Sequence, residues 1–448
     1  MVIFAVVGMA LLMSSLDGTI VATALHSIQR GLHASINWTG WTITAYSVGS
    51  ALMYPFAGKL SARYGRRRFF TVSVGLFAVA SLCCGFASNI YLLIGLRTLQ
   101  AAGGAGFFPS ATAIVVEHFG SSRDKAVGLF GTIYSTGWMI GPIFGGLFVA
   151  YWTWRGIFFV NIPISIVIVL LCMKYVPPDP PRQAGQDRPM DLLGMAFLGV
   201  GLLALMVGVS ELGEAGTRVL SPLFLVPVVL GVASLAEFGR HILRTPDPFI
   251  PPHLIAGRGF AAVNVINVVY GGATTGLIAL IPIYAMERYH IDVLSSGTLL
   301  VAEGAAVVLT STAAAMALRR TGYRLPLYVG SVIMALGIAA LALQVTGVSH
   351  YVWLAIASCV VGIGSGLFDP ASRNAGLQLA PGQSASIAAL RSTGRQIGSI
   401  MVVSITTAFL SRSAHPGATQ AVVFVASALV LAACMPTITR ITEHRGSW

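Results

Sequence analysis

The chain has 448 residues, of which 56% are hydrophobic and 9% charged, and it carries a formal net charge of +12. Soluble domains contain roughly 25% charged residues, so a soluble globular protein is excluded, and the same hydrophobicity excludes disorder. Glycine fills 50 positions without a G-X-Y period, which excludes collagen and favours close helix packing in lipid. The 5 cysteines lie in apolar runs and no Cys/His spacing suggests a ligand set, so no disulfide framework, metal or other cofactor is expected.

A membrane-crossing helix needs roughly 20 mostly apolar residues. Runs bounded by charge, proline or glycine clusters predict fourteen spans, near residues 2–27, 37–57, 69–87, 90–116, 126–150, 156–175, 191–212, 221–241, 260–285, 295–318, 325–346, 351–372, 385–410 and 418–439. The first run has no charged segment before it and no small-residue cleavage site, so it reads as helix 1 rather than a removed signal peptide. Lys and Arg are retained on the cytoplasmic side. With the N-terminus inside, the loop from Lys59 to Arg68 and most other basic residues face the cytoplasm, while only Arg30, Arg155, Arg218, Arg288 and Arg412 fall on outer segments. This asymmetry predicts an even span count with both termini cytoplasmic. It assigns the net charge to topology, and no nucleic-acid partner is implied.

The two halves of the sequence repeat. Gly104 to Ala111 (GAGFFPSA) resembles Gly364 to Ser372 (GSGLFDPAS), and Ser135 to Gly141 (STGWMIG) resembles Ser392 to Gly398 (STGRQIG). The offset is too long for two six-helix halves in direct succession, so helices 7 and 8 become an insertion. The predicted organisation is a six-helix bundle over 1–176, a linker with two helices over 177–258, and a second six-helix bundle over 259–448. Helix 1 then corresponds to helix 9, and helix 5 to helix 13.

Five segments in order, LDGTIVATAL (Leu16 to Leu25), GKLSARYGRRR (Gly58 to Arg68), LIGLRTLQAAGGAG (Leu93 to Gly106), GWMIGPIFGG (Gly137 to Gly146) and WRGIFFVNIPI (Trp154 to Ile164), together resemble the major facilitator superfamily. More narrowly they resemble its fourteen-helix drug:proton antiporters. The resemblance implies an all-α polytopic fold in a bacterial inner membrane. It also implies a monomer that exchanges protons for amphipathic or hydrophobic compounds by alternating access. Export of a lipid or other cell-envelope molecule is the alternative within the same fold. An integral membrane enzyme is set aside, since H-E-x-x-H, G-x-S-x-G and clustered histidines are all missing from the sequence.

Asp17 lies in mid-helix 1, where a carboxylate costs about 2.5 to 3.5 kcal/mol on insertion scales. Arg97 on helix 4 is the natural partner, and moving that guanidinium toward or away from the acid would release or load a proton. A permanent structural bridge is the competing reading. Glu303 in helix 10 is a second candidate for protonation. Asp369, with Arg391 and Arg395 spaced i, i+4 on the next helix, forms a charge cluster that either steadies the second half or serves coupling or a substrate anion.

Gly137, Gly141, Pro142 and Gly145 remove side-chain bulk and one backbone donor from helix 5. By the resemblance they are the antiporter motif. Gly58, Arg63, Gly65, Arg66 and Arg67 resemble the family's cytoplasmic latch, with Ala62 standing where its pattern has Asp, which predicts a weakened latch. Tyr134, Trp138, Asn267 and Tyr270 are candidates for lining a mostly apolar cavity, with packing as the alternative for each.

Overall fold

The computed structural model describes residues 2–34, 36–179, 191–211, 221–246, 248–257, 259–410, 413–441 and 443, and every regular element among them is helical. In chain order the α-helices are α1 (Val2–Gly31), α2 (Ile36–Tyr64), α3 (Arg66–Gly85), α4 (Ile90–Gly104), α5 (Phe107–His118), α6 (Arg123–Tyr151), α7 (Gly156–Phe159), α8 (Asn161–Tyr175), α9 (Leu192–Glu211) and α10 (Pro222–Arg244). They continue with α11 (Pro252–Ala256), α12 (Phe260–Gly271), α13 (Leu277–Ala279), α14 (Ile281–Tyr289), α15 (Val293–Thr321), α16 (Arg324–Ala342), α17 (His350–Leu377), α18 (Ser384–Leu410) and α19 (Pro416–Cys434). Among the described residues, 12 helical stretches are long and apolar enough to cross a membrane. The other two predicted spans correspond to α2 and α18, which have 29 and 27 residues and are richer in hydroxyl and, in α18, guanidinium groups.

Three predicted spans are interrupted. The run 90–116 divides into α4 and α5 at Ala105 and Gly106, next to a glycine pair that closes against α3. The run 156–175 divides into α7 and α8, with Pro163 in the first turn of α8 where its missing N–H costs nothing. The run 260–285 passes from α12 through a five-residue π-helix, Gly272–Gly276, into α13 and α14. Glycines at 271, 272 and 276 and Pro282 at the start of α14 remove the constraints that would hold one regular helix.

The chain forms two compact units: Met1–Arg182 with Pro381–Leu390, and Gln183–Ala380 with Arg391–Trp448. Parts of the predicted linker (180–190, 212–220, 247 and 258), and with them Arg182, Arg188, Arg218 and Arg258, lie outside the described residues, as do Arg412 and Arg445.

In the first unit α6 lies against α1 along a stripe of small residues. A Cβ on Gly137 would stand 2.7 Å from Ser15 Cβ, one on Gly141 would land on the Thr19 hydroxyl, and one on Gly145 would land on the Thr23 hydroxyl. Three glycines at i, i+4 and i+8 thus meet three hydroxyl residues at the same spacing. In the second unit α12 and its π-helix meet α18 in the same manner. A Cβ on Gly272 would lie 3.1 Å from the Gly398 carbonyl, and one on Gly398 would fall on the Val268 carbonyl. Without a hydrophobic drive between helices in lipid, such close approach supplies the van der Waals attraction that holds them.

Also in the second unit, α9 and α10 pack on each other, with Gly201 facing Leu235, Gly208 facing Val228 and Gly231 facing Leu205. Asp191, just before α9, clasps this hairpin. Its carboxylate accepts from Gly194 N at 2.8 Å, from Phe249 N at 2.9 Å, and pairs with His241 Nε2 at 2.7 Å. Burial pushes the Asp191 carboxyl pKa up, but the two backbone donors and the imidazole outweigh it and hold it below its ordinary 3.8.

Two expectations follow. Gly398→Ala should lower the thermal unfolding midpoint, since overpacking costs about 1 to 3 kcal/mol, whereas Gly146→Ala, with open space around its Cβ, should leave it unchanged or raise it. Because the folded pKa of Asp191 is depressed, its stabilisation is present above pH 3.8 and is lost as pH falls through the folded value. The protection of the Phe249 amide against hydrogen exchange, relative to its intrinsic rate at each pH, should therefore fall on acidification below that value in the wild type, and should be low at all pH in Asp191→Ala.

Candidate functional site

The sequence places one acid well inside helix 1, and the fold surrounds it. Asp17 on α1 is 1% exposed, as is Arg97 on α4. Arg97 Nη1 donates to Asp17 Oδ2 at 2.6 Å and to Gln100 Oε1 at 2.7 Å. Gln100 Nε2 donates to Asp17 Oδ1 at 2.9 Å, and Asn161 Nδ2, from the first turn of α8, donates to the same oxygen at 3.0 Å. Both amides also reach Ser81 Oγ on α3, which donates a hydrogen bond to the Phe158 carbonyl at 2.9 Å. The carboxylate is thus held by one charged and two neutral donors from two other helices, α4 and α8. The guanidinium has further support: its carbon lies 4.2 Å from the Tyr46 ring centre on α2.

This geometry gives each of the two charges partners besides the other. If Asp17 takes a proton, Arg97 retains the Gln100 amide oxygen and the Tyr46 ring. If Arg97 withdraws, Asp17 retains two amide donors. Either separation therefore leaves no bare buried charge, a condition that a rigid two-residue bridge does not meet.

Gly137, Gly141 and Gly145 fix the helix that carries the acid, because the α1 residues that Gly137 and Gly141 admit, Ser15 and Thr19, flank Asp17. Ser15 Oγ also donates to the Tyr134 carbonyl on α6. The side chain of Pro142 lies outside the described residues. Trp138 is half-buried on α6.

The basic loop between α2 and α3 gathers acids that the sequence did not assign to it. Arg66 pairs with Glu117 at the end of α5. Asp179 accepts from the backbone N–H of Arg67 and of Arg68, each at 3.0 Å, and so occupies the N-terminus of α3, where an anion is favoured. Arg67 Nη2 donates to the Met173 carbonyl at 2.6 Å. Gly65 has φ +95°, and a Cβ there would run into the Asp179 carboxylate, so both backbone and space require glycine. Gly58 lies against Ser386 and Ala389 within the same unit, and Arg63 stacks near Tyr64. Asp179 and Glu117 supply anions to a loop in which Ala62 has none.

In the second unit Asp369 on α17 is the hub of a second buried cluster. Arg373 Nε donates to Oδ2 at 2.6 Å; Arg391 Nη2 and Arg395 Nη1, both from α18, donate to Oδ1 at 2.6 and 2.7 Å. Arg373 was not assigned from the sequence, although its i, i+4 spacing from Asp369 carries the signal. Tyr270 and Asn267 on α12 are 2% and 1% exposed and pack onto this cluster. Tyr270 stacks on Phe368 at 4.2 Å and donates to the Ser365 carbonyl, while Asn267 Oδ1 accepts from Ser372 Oγ at 2.8 Å. Both are therefore packed side chains of the second unit. Glu303 on α15 is half-buried and forms no ion pair among the described residues.

A family model described as Major Facilitator Superfamily matches residues 7–403. A Multidrug resistance protein B homolog of Mycobacterium tuberculosis is 31% identical over 407 residues, covering 90% of this chain and 74% of that protein. The puromycin resistance protein pur8 of Streptomyces alboniger is 30% identical, covering 88% and 79%. Among solved structures, the human organic anion transporter MFSD10 (TETRAN) superposes with a TM-score of 0.73 at 14% identity over 98% of this chain and 99% of that one, a likeness of fold. The match over most of the chain and these relatives together establish that the chain is a multi-pass membrane protein belonging to the Major Facilitator Superfamily of transporters.

Proposed function

We propose that the protein is a proton-coupled antiporter that exports amphipathic compounds from a bacterial cytoplasm by alternating access, acting as a monomer among membrane lipids. The observation that carries this reading is the buried Asp17 with its interchangeable partners, in a chain whose relatives are named for multidrug and antibiotic resistance. Fourteen spans, with both termini cytoplasmic and α9–α10 as a peripheral pair between two six-helix halves, complete the reading. The distribution of basic residues and the mutual packing of α9 and α10 support it.

In this scheme Asp17 loads a proton from the outer side, and Arg97 then leans on Gln100 and Tyr46. Substrate entering from the inner side favours release of that proton and return of the ion pair. Glu303, without a basic partner, is the second group able to take a proton within a span. The α2–α3 loop, with Glu117 and Asp179 as its acids, is the latch that biases the two access states.

The test is transport in proteoliposomes under an imposed pH gradient, using a panel of amphipathic dyes of either charge sign. Asp17→Asn keeps the shape of the side chain and leaves Arg97 its other partners, so the variant should fold and still bind dye. It should lose gradient-driven transport by about 100-fold or more, 100-fold being the lower end of the usual range for removal of a general acid or base. Unchanged pH-driven export by this variant contradicts the assignment.

A further inference from the structure

The second unit holds a charge arrangement that proton coupling does not use. Three guanidiniums, from Arg373, Arg391 and Arg395, converge on the single carboxylate of Asp369, which can neutralise one of them. Asp369, Arg373 and Arg391 are 5%, 7% and 5% exposed. Among the buried N–H groups at this place, Arg391 Nε and Asn267 Nδ2 have no hydrogen-bond partner. A buried donor left unpaired costs about 1 to 3 kcal/mol, and more when the group is charged.

The two orphan donors belong to one neighbourhood. Gly394, one turn beyond Arg391 on the same face of α18, comes within 3.7 Å of Asn267 Cβ when a Cβ is placed on it. Asn267 Oδ1 is already engaged by Ser372, which directs its amide nitrogen away from that hydroxyl. The Arg395 guanidinium lies 4.9 Å from the centre of the Tyr270 ring, one turn from Asn267 on α12. Guanidinium groups match planar or tetrahedral oxyanions through paired donors, and an arginine placed in a dry setting is suited to that recognition.

We propose that the cluster of Arg373, Arg391 and Arg395 around Asp369, together with the Asn267 amide, binds the oxyanion group of an amphipathic anion, a phosphate monoester, phosphodiester or carboxylate. The anion supplies the acceptors that Arg391 Nε and Asn267 Nδ2 lack and offsets guanidinium charge beyond what one carboxylate can balance. Asp369 holds the three arginines in register and keeps the site from binding its anion irreversibly. This deepens the export reading, on which it rests, by naming a substrate class that carries negative charge.

The experiment is isothermal titration of the purified full chain in phosphatidylcholine nanodiscs with dodecyl phosphate and with 1-dodecanol, its uncharged counterpart. The phosphate should bind about tenfold or more tightly than the alcohol, as expected for at least one charge-assisted hydrogen bond. Arg391→Gln should close that gap. Asn267→Asp, which sets a carboxylate where the orphan amide stands, should close it too, and serves if Arg391→Gln does not fold. Inorganic phosphate that competes with dodecyl phosphate identifies a free oxyanion as sufficient. Competition by phosphatidylglycerol in the disc, without competition by inorganic phosphate, identifies a lipid headgroup. Equal affinities for the two probes, or a gap that survives in the folded variants, overturns the proposal. No proton gradient is present across a nanodisc. A missing gap with intact pH-driven export therefore overturns the anion site alone, and an intact gap without pH-driven export overturns the coupling reading alone.

Discussion

The carboxylate of Asp17, buried at 1% exposure, constrains the whole first unit. An ion of this size taken out of water loses several kcal/mol of hydration even after the protein relaxes, and only directed donors recover it. Those donors come from α4 and α8, with Ser81 of α3 orienting two of them and Tyr46 of α2 covering the guanidinium. The five helices must therefore meet at one depth. The α1–α6 glycine stripe is what allows it, because a side chain at Gly137 or Gly141 would push α1 away from its donors.

The second unit solves the inverse problem. There the cations outnumber the carboxylate at the hub, and the helices again approach through small residues, Gly271, Gly272 and Gly276 of one segment against α18. The π-helix at Gly272–Gly276 lies one turn from Tyr270 and Asn267, so the irregular backbone sits where α12 contacts the charged face of α18. Each unit thus pairs a tightly packed helix couple with a buried charged cluster, balanced one to one in the first unit and richer in cations in the second. The repeat in the sequence is visible in the packing: STGWMIG and STGRQIG supply the glycines on α6 and on α18 that receive the partner helix in their respective units.

Much of this was legible in the sequence, for identifiable reasons. Long apolar runs leave few alternatives to helices, and a lone acid in such a run draws attention because its burial is expensive, so Asp17 and Arg97 stood out. Gln100, Asn161 and Ser81 did not, since neutral polar residues are common in membrane helices and acquire meaning only when three segments converge. Gln100 had one clue, its i, i+3 spacing from Arg97. Asp179 was hidden because it caps a helix that begins more than a hundred residues earlier, and Ala62 drew attention to the acid missing locally. The breaks at Ala105 and at Gly272 were not legible either, because glycine clusters accompany both smooth and interrupted helices. Tyr270 and Asn267 had the chemistry of cavity residues; in the fold Tyr270 stacks on Phe368, while Asn267 bonds to Ser372 through its oxygen and leaves its amide nitrogen without a partner.

The central claim is that Asp17 alternates between an ion pair with Arg97 and a protonated state. Infrared difference spectra of the protein in nanodiscs, recorded between acid and alkaline pH, report it directly. The account predicts a carboxylic-acid C=O band on acidification in the wild type, one component of which is lost in Asp17→Asn. A band of equal strength in both proteins, or a wild-type spectrum without one across the pH range in which transport operates, would mean that the pair is a permanent bridge.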